Sequence, residues 1–252
     1  MTIPRICYST VPHRREKAWN DAKEIKMKTI LSPPGNPLSI LYAGLFLLLS
    51  IAVISGCISR GEPRLQAENY LLEYPAPLFP GLPVIDTTIR VSRFTIAAAY
   101  NNTNMIFIEN NYTLDSFNYN RWAVNPADMV GDNLLRDLQE SGLFLAAFSR
   151  YAVDEGRYIL QGGITDFLLQ KDKKGNTGVI SLEITLKDSG QREVTKRVLF
   201  QKKYRGEELL KEQSPRGYCA AMSLALQNLS RQIVYDIYQS VKTAQTNKVP
   251  EG

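Results

Sequence analysis

An α+β domain is what this sequence predicts: a mixed or antiparallel sheet of about six to seven strands with two amphipathic helices packed on one face. Three observations carry that prediction. Short runs of alternating apolar and polar residues recur across residues 69–204, broken by Asn, Gly and Pro clusters. Two stretches, opening at Asn125-Pro126 and Ser214-Pro215, repeat their apolar residues at helical spacing. An uncharged run over residues 37–57 stands ahead of both, so the folded part begins only after it.

Residues 69–74 read as a short first strand, and Pro75, Pro77, Pro80 and Pro83 follow. Proline has no N–H to donate, so this segment is expected to be extended and poor in backbone hydrogen bonds. Residues 88–96 set Ile89 and Val91 against Arg90 and Ser92, which makes a half-buried second strand. Residues 105–108 and 112–122 are the third and fourth, joined as a hairpin at Asn110-Asn111. Asn125 then caps a helix with Pro126 at its first position and Asp128 in its first turn. Val130, Leu134 and Leu138 form its apolar face, and Gly142 ends it. Residues 143–148 continue as an apolar exit segment. Three strands close the sheet: 157–170, 179–186 and 194–204. Gly162-Gly163 predicts a bulge or a close backbone approach in the first of these. Lys196, Arg197, Lys202 and Lys203 mark the last as an edge. In the final helix Met222, Leu226, Leu229, Ile233, Ile237 and Val241 step by three or four residues, one continuous stripe.

Charge excludes one class of partner. The whole chain carries 30 Lys/Arg and 25 Asp/Glu, but residues 1–56 hold seven of the bases and three of the acids. What remains is 23 against 22, so the basicity belongs to the leader and no nucleic-acid footprint survives. The single histidine, His13, lies in the same leader, so no Ser-His-Asp or Cys-His arrangement can be assembled beyond it. Of Cys7, Cys57 and Cys219, the last falls on the helical stripe and reads as a small buried hydrophobe. Neither a disulfide framework nor a zinc cluster follows from that count, and no cofactor is expected.

The uncharged run has Lys26 and Lys28 upstream and ends in Ile54-Ser55-Gly56-Cys57. A basic region, an apolar core and small residues are the parts of a secretory signal. The last four residues resemble the bacterial lipobox. That resemblance implies cleavage between Gly56 and Cys57, with palmitate-type acyl chains on the Cys57 sulfur and its new amine. At about 20 residues the run is also long enough to remain as a membrane span, the alternative that length permits. Met27-Lys28 makes the more typical signal start, so residues 1–26 are expected to lie ahead of the true initiator. The expected organisation is therefore a leader over 1–56, a lipidated tether over 57–68, a folded domain over 69–242 and a disordered tail over 243–252. Ile58, not Asp, follows the cysteine, which by the enterobacterial sorting rule resembles cargo for the outer membrane.

From residue 105 to 148 the order is a strand, an aromatic-rich strand, Arg121-Trp122, Asn125-Pro126, an amphipathic helix and Ser141-Gly142-Leu143-Phe144. This order, behind a lipobox, resembles the ABC-type transport auxiliary lipoprotein family, which includes the outer-membrane lipoprotein of the paraquat-inducible system. The resemblance implies a non-enzymatic lipoprotein on the periplasmic face of the outer membrane. Its implied partners are a periplasmic mammalian-cell-entry-domain protein, an ABC permease and an ATPase that move lipids or hydrophobic compounds. Homo-oligomers are left open. Many relatives carry His-Arg-Trp where this chain has Asn120-Arg121-Trp122, so a role for that histidine does not transfer.

Cys57 is the anchoring residue in this reading, since two or three acyl chains give stable membrane attachment where one does not. Tyr119, Arg121 and Trp122 are candidates for contact with a partner or a lipid, the alternative being aromatic packing against the sheet. For Arg121 an exposed contact and a pair with Asp128 are equally open. Two rivals to the transport reading are a scaffold lipoprotein that moves no substrate and a carboxylate-dependent hydrolase using Asp166 or Glu183.

Overall fold

The structure, a computed structural model, describes Leu38, Leu41, Tyr42 and residues 44–46, 67–110, 112–173 and 175–247. The chain divides into two compact units, Met1–Pro63 and Arg64–Gly252. Of the first, the described residues are helical and exposed. Among the described residues no helix is long and apolar enough to cross a membrane. Gly56 and Cys57 lie outside them.

The second unit is α+β, as predicted, with a mixed and open sheet of nine strands: β1 Glu68–Tyr70, β2 Ile85–Val91, β3 Thr95–Ile96, β4 Asn104–Asn110, β5 Thr113–Trp122, β6 Phe144–Phe148, β7 Tyr158–Asp172, β8 Gly175–Asp188 and β9 Val198–Leu209. Helix α1 is Pro126–Glu140 and helix α2 is Pro215–Thr246. The long strand β7 is the spine. Along one side it pairs antiparallel with β8, which pairs antiparallel with β9. Along its other side it takes three parallel partners in succession: β2 near Tyr158, β3 at Gly163 and β4 near Leu169. Beyond β2 lies β6; beyond β4 lie β5 and then β1. Nine strands exceed the expected six to seven for two reasons. The segment 88–96 breaks into β2 and β3 around Arg93 and Phe94, and the apolar exit segment 144–148 is itself a strand beside β2.

Both helices start where their caps place them. The Asn125 side chain accepts from the Ala127 N–H at 2.9 Å, and Ser214 accepts from the Gly217 N–H at 3.0 Å. Gly142, at φ +62°, follows the C-cap of α1. The six-residue stripe of α2 is fully buried against β8 and β9. Gly206 lets that helix come close: a Cβ there would stand 3.0 Å from Leu229. α2 also runs on to Thr246, so residues 243–246, expected in a disordered tail, continue the helix.

Gly162 answers the second glycine expectation with a close approach rather than a bulge. A Cβ at this position would fall 2.2 Å from the buried Phe94 ring. The register shift in the β7–β8 pair lies further on, between Ile164 and Asp166.

After β1, the proline-rich segment crosses the helices as a strap. Its backbone is satisfied by helix side chains instead of strand partners, as few backbone bonds require. Ser223 accepts from the Glu73 N–H (3.1 Å), Cys219 donates to the Leu71 carbonyl (3.1 Å), Gln227 donates to Pro75 (2.9 Å) and Tyr238 to Pro83 (3.0 Å). Tyr74 reaches through the strap and donates to Asp137 at 2.8 Å. Asp137, 0% exposed, also accepts from Ser230 on α2 and from Arg136. One carboxylate thus joins the strap, α1 and α2.

Candidate functional site

With both helices and the strap on one face of β7–β8–β9, the other face is polar along Ser181, Glu183 and Thr185 and carries Leu168 and Val179 as a buried apolar pair. Period-2 alternation puts Ile180, Leu182, Ile184 and Leu186 of β8 toward the helices and Ser181, Glu183 and Thr185 away from them. Register then assembles rows across the three strands: Gln161 with Thr185 and Gln201, Gly163 with Glu183 and Lys203, Asp166 with Ser181 and Arg205.

The charged side chains at the centre of these rows are engaged by their neighbours. Arg205 donates to Ser181 (3.1 Å) and Glu207 (2.6 Å) and stands 3.5 Å from Asp166. Glu183 accepts from Gln201. The acids that a hydrolase would use are therefore held by their neighbours. Asp188, at the end of β8, is buried and bonded by Arg157 at 2.9 Å and by the Gly190 N–H at 3.0 Å. Among the described residues no group of three His, Cys, Asp or Glu side chains converges on a metal position.

Two depressions lie on this face. One, of about 430 Å³, is bounded by Ile108, Asp166, Lys171 and Arg205. The other, of about 370 Å³, has Arg93, Thr95, Gln161 and Gln201 in its walls. Arg93 also borders a depression of about 440 Å³ at the start of α1 and one of about 330 Å³ beside Arg150.

The sequence candidates on β5 separate from one another. Tyr119 is 49% exposed. Arg121 is exposed and donates to Asn104 across the hairpin at 2.8 Å; Asp128 instead pairs with Arg150 at 2.9 Å. Trp122 is 1% exposed, which removes it from the contact surface. Its ring packs edge-on against Phe167 and Tyr218 with centroids 5.4 Å apart. The cause is a slip in the β4–β5 register: Asn104 opposes Arg121 and Ile106 opposes Ser116, so two steps on β4 match five on β5. Phe117 and Trp122 both reach the core as a result, although simple alternation would send them to opposite faces. Sequence reasoning missed Arg93, Gln161 and Gln201. Their only signal was the polar half of an alternating strand, which any solvated face shares.

A family model described as "ABC-type transport auxiliary lipoprotein component" matches residues 70–234. Among solved structures, a Xanthomonas campestris protein of family DUF330 superposes with a TM-score of 0.64 at 16% identity, over 71% of this chain and 99% of that one. An uncharacterised protein superposes with a TM-score of 0.52 at 15% identity, over 65% and 99%. At those identities the likeness shows a shared fold. No curated protein matches the sequence.

Proposed function

This chain belongs to the ABC-type transport auxiliary lipoprotein family, and from that premise we propose that it is a non-enzymatic component of a mammalian-cell-entry-type transporter moving lipids or hydrophobic compounds across the bacterial envelope. Acyl chains on Cys57 hold it to the periplasmic face of the outer membrane. From there the open face of the sheet docks a periplasmic protein working with the ABC permease and ATPase. The observation that carries this reading is the match from residue 70 to residue 234, from β1 into α2. On the open face Asp166 and Glu183 are already engaged by Arg205 and Gln201, which supports docking over chemistry.

Mass spectrometry and co-purification of the native protein test it together. The expected result is a mature chain starting at an acylated Cys57, recovered with the permease and a mammalian-cell-entry-domain protein. An acylated chain recovered without either would point to the scaffold reading, and an unmodified Cys57 would overturn the anchor.

A further inference from the structure

From the end of β2 into its connection to β3 the chain presents Arg90, Ser92 and Arg93 beside Arg150 and Tyr151, around a depression of about 330 Å³. The charges there are unequally answered. Arg150 is paired with Asp128 at 2.9 Å and lies 3.8 Å from Asp132. Arg90 donates to the Arg150 carbonyl at 3.2 Å and has no carboxylate partner among the described residues. Arg93 is exposed and has no hydrogen-bond or ion-pair partner among them. Among the described residues two guanidinium groups therefore lack a carboxylate partner, and Ser92 lines the same depression.

We infer that Arg90 and Arg93 form the anchor for an acidic, extended segment of a partner protein, which continues from them along the trough of the open face. The inference rests on the docking role proposed above and names the chemistry of the docked segment. Guanidinium groups bind carboxylates through paired, charge-assisted hydrogen bonds, which fixes orientation as well as affinity. Arg93 also lines the adjoining depression, whose walls include Thr95, Gln161, Thr185 and Gln201. Those side chains offer hydrogen bonds to a peptide backbone. Among the described residues neither depression is lined by an aliphatic side chain, which argues against an acyl chain beside a bound headgroup. At the rim, Tyr151 is 79% exposed with the Arg150 guanidinium 4.6 Å from its ring centre, and Tyr and Arg are the residue types that dominate interface energetics. Glu183, in the wall of the trough, repels acids and so assigns the acidic residues of the segment to the arginine end.

The test uses the purified lipoprotein in neutral detergent with an oligoglutamate peptide, inorganic phosphate and phosphatidylglycerol vesicles as separate probes. The peptide should bind, and Arg93→Ala should weaken it roughly tenfold, the loss of one charge-assisted contact. Arg93→Lys should recover only part of that loss. Lys211→Ala, which removes an exposed cation two residues beyond the end of β9, should leave binding unchanged. Equal losses in Arg93→Ala and Lys211→Ala would reduce the effect to net charge and overturn the inference. So would vesicle or phosphate binding that depends on Arg93 while the peptide does not bind. The peptide assay needs no transporter, so its failure leaves the transport reading standing. Co-purification of the permease is read without the peptide, so its failure indicts that reading alone.

Discussion

The two faces of the β7–β8–β9 sheet are built from alternate residues of the same strands, yet they differ in nearly every physical respect. The covered face carries the α2 stripe, the strap and a carboxylate with no exposure; each fully buried apolar side chain there contributes about 1.5–3 kcal/mol. The open face carries Arg205, Asp166 and Glu207 in ion pairs that water screens, worth about 0–1 kcal/mol each. Stability is concentrated on one side, which leaves the residues of the other free to be chosen for recognition.

Three measurements would break or sharpen that contrast. The largest effect is expected from alkali. Tyr74, Tyr204 and Tyr218 all sit on the covered side, and burial holds each phenol well above its ordinary value of 10.0, helped at Tyr74 by Asp137 and at Tyr204 by Asp236. A folded state that retains these protons loses stability as pH rises past the unfolded tyrosine pKa, while below it the contribution is fully present. Urea midpoints should therefore stay level to near that pH and fall steeply above it. Tyr218→Phe should flatten the fall.

Next comes Asp137→Ala, which strips the acceptor from Tyr74, Ser230 and Arg136 at once. Breaking such a buried network costs about 3–5 kcal/mol, measurable by urea unfolding. A loss below about 1 kcal/mol would mean that the strap and helices hold without it. The smallest effect should come from Arg205→Ala on the open face, at most about 1 kcal/mol, because its partners remain solvated. A larger loss there would show that the open face also stabilises the fold.

Local signals were the legible ones. Asn125 and Ser214 fixed both helix starts, since a cap bonds within its own first turn. The α2 stripe announced a buried helix because its period is a property of the chain alone. The parallel pairs were not legible. β2 meets β6 and β7 across more than fifty residues of intervening chain, and nothing near Ile89 specifies Ala147 or Tyr158 as a partner. Trp122 failed as a contact for a related reason. Alternation from Thr113 onward is broken by a register slip that depends on where β4 lies.

By itself the sequence determined the two helices, the histidine-free domain and the order of elements that resembles a transport auxiliary lipoprotein. All of these are written in neighbouring residues, through periodicity, capping and charge. Only the tertiary structure decided that three strands would share one side of β7, that a proline strap would be held by helix side chains, and that Arg93 would stand where depressions meet, without an ion-pair partner among the described residues. Those outcomes depend on which distant segments pack together, and such contacts leave no mark in the local pattern of either partner.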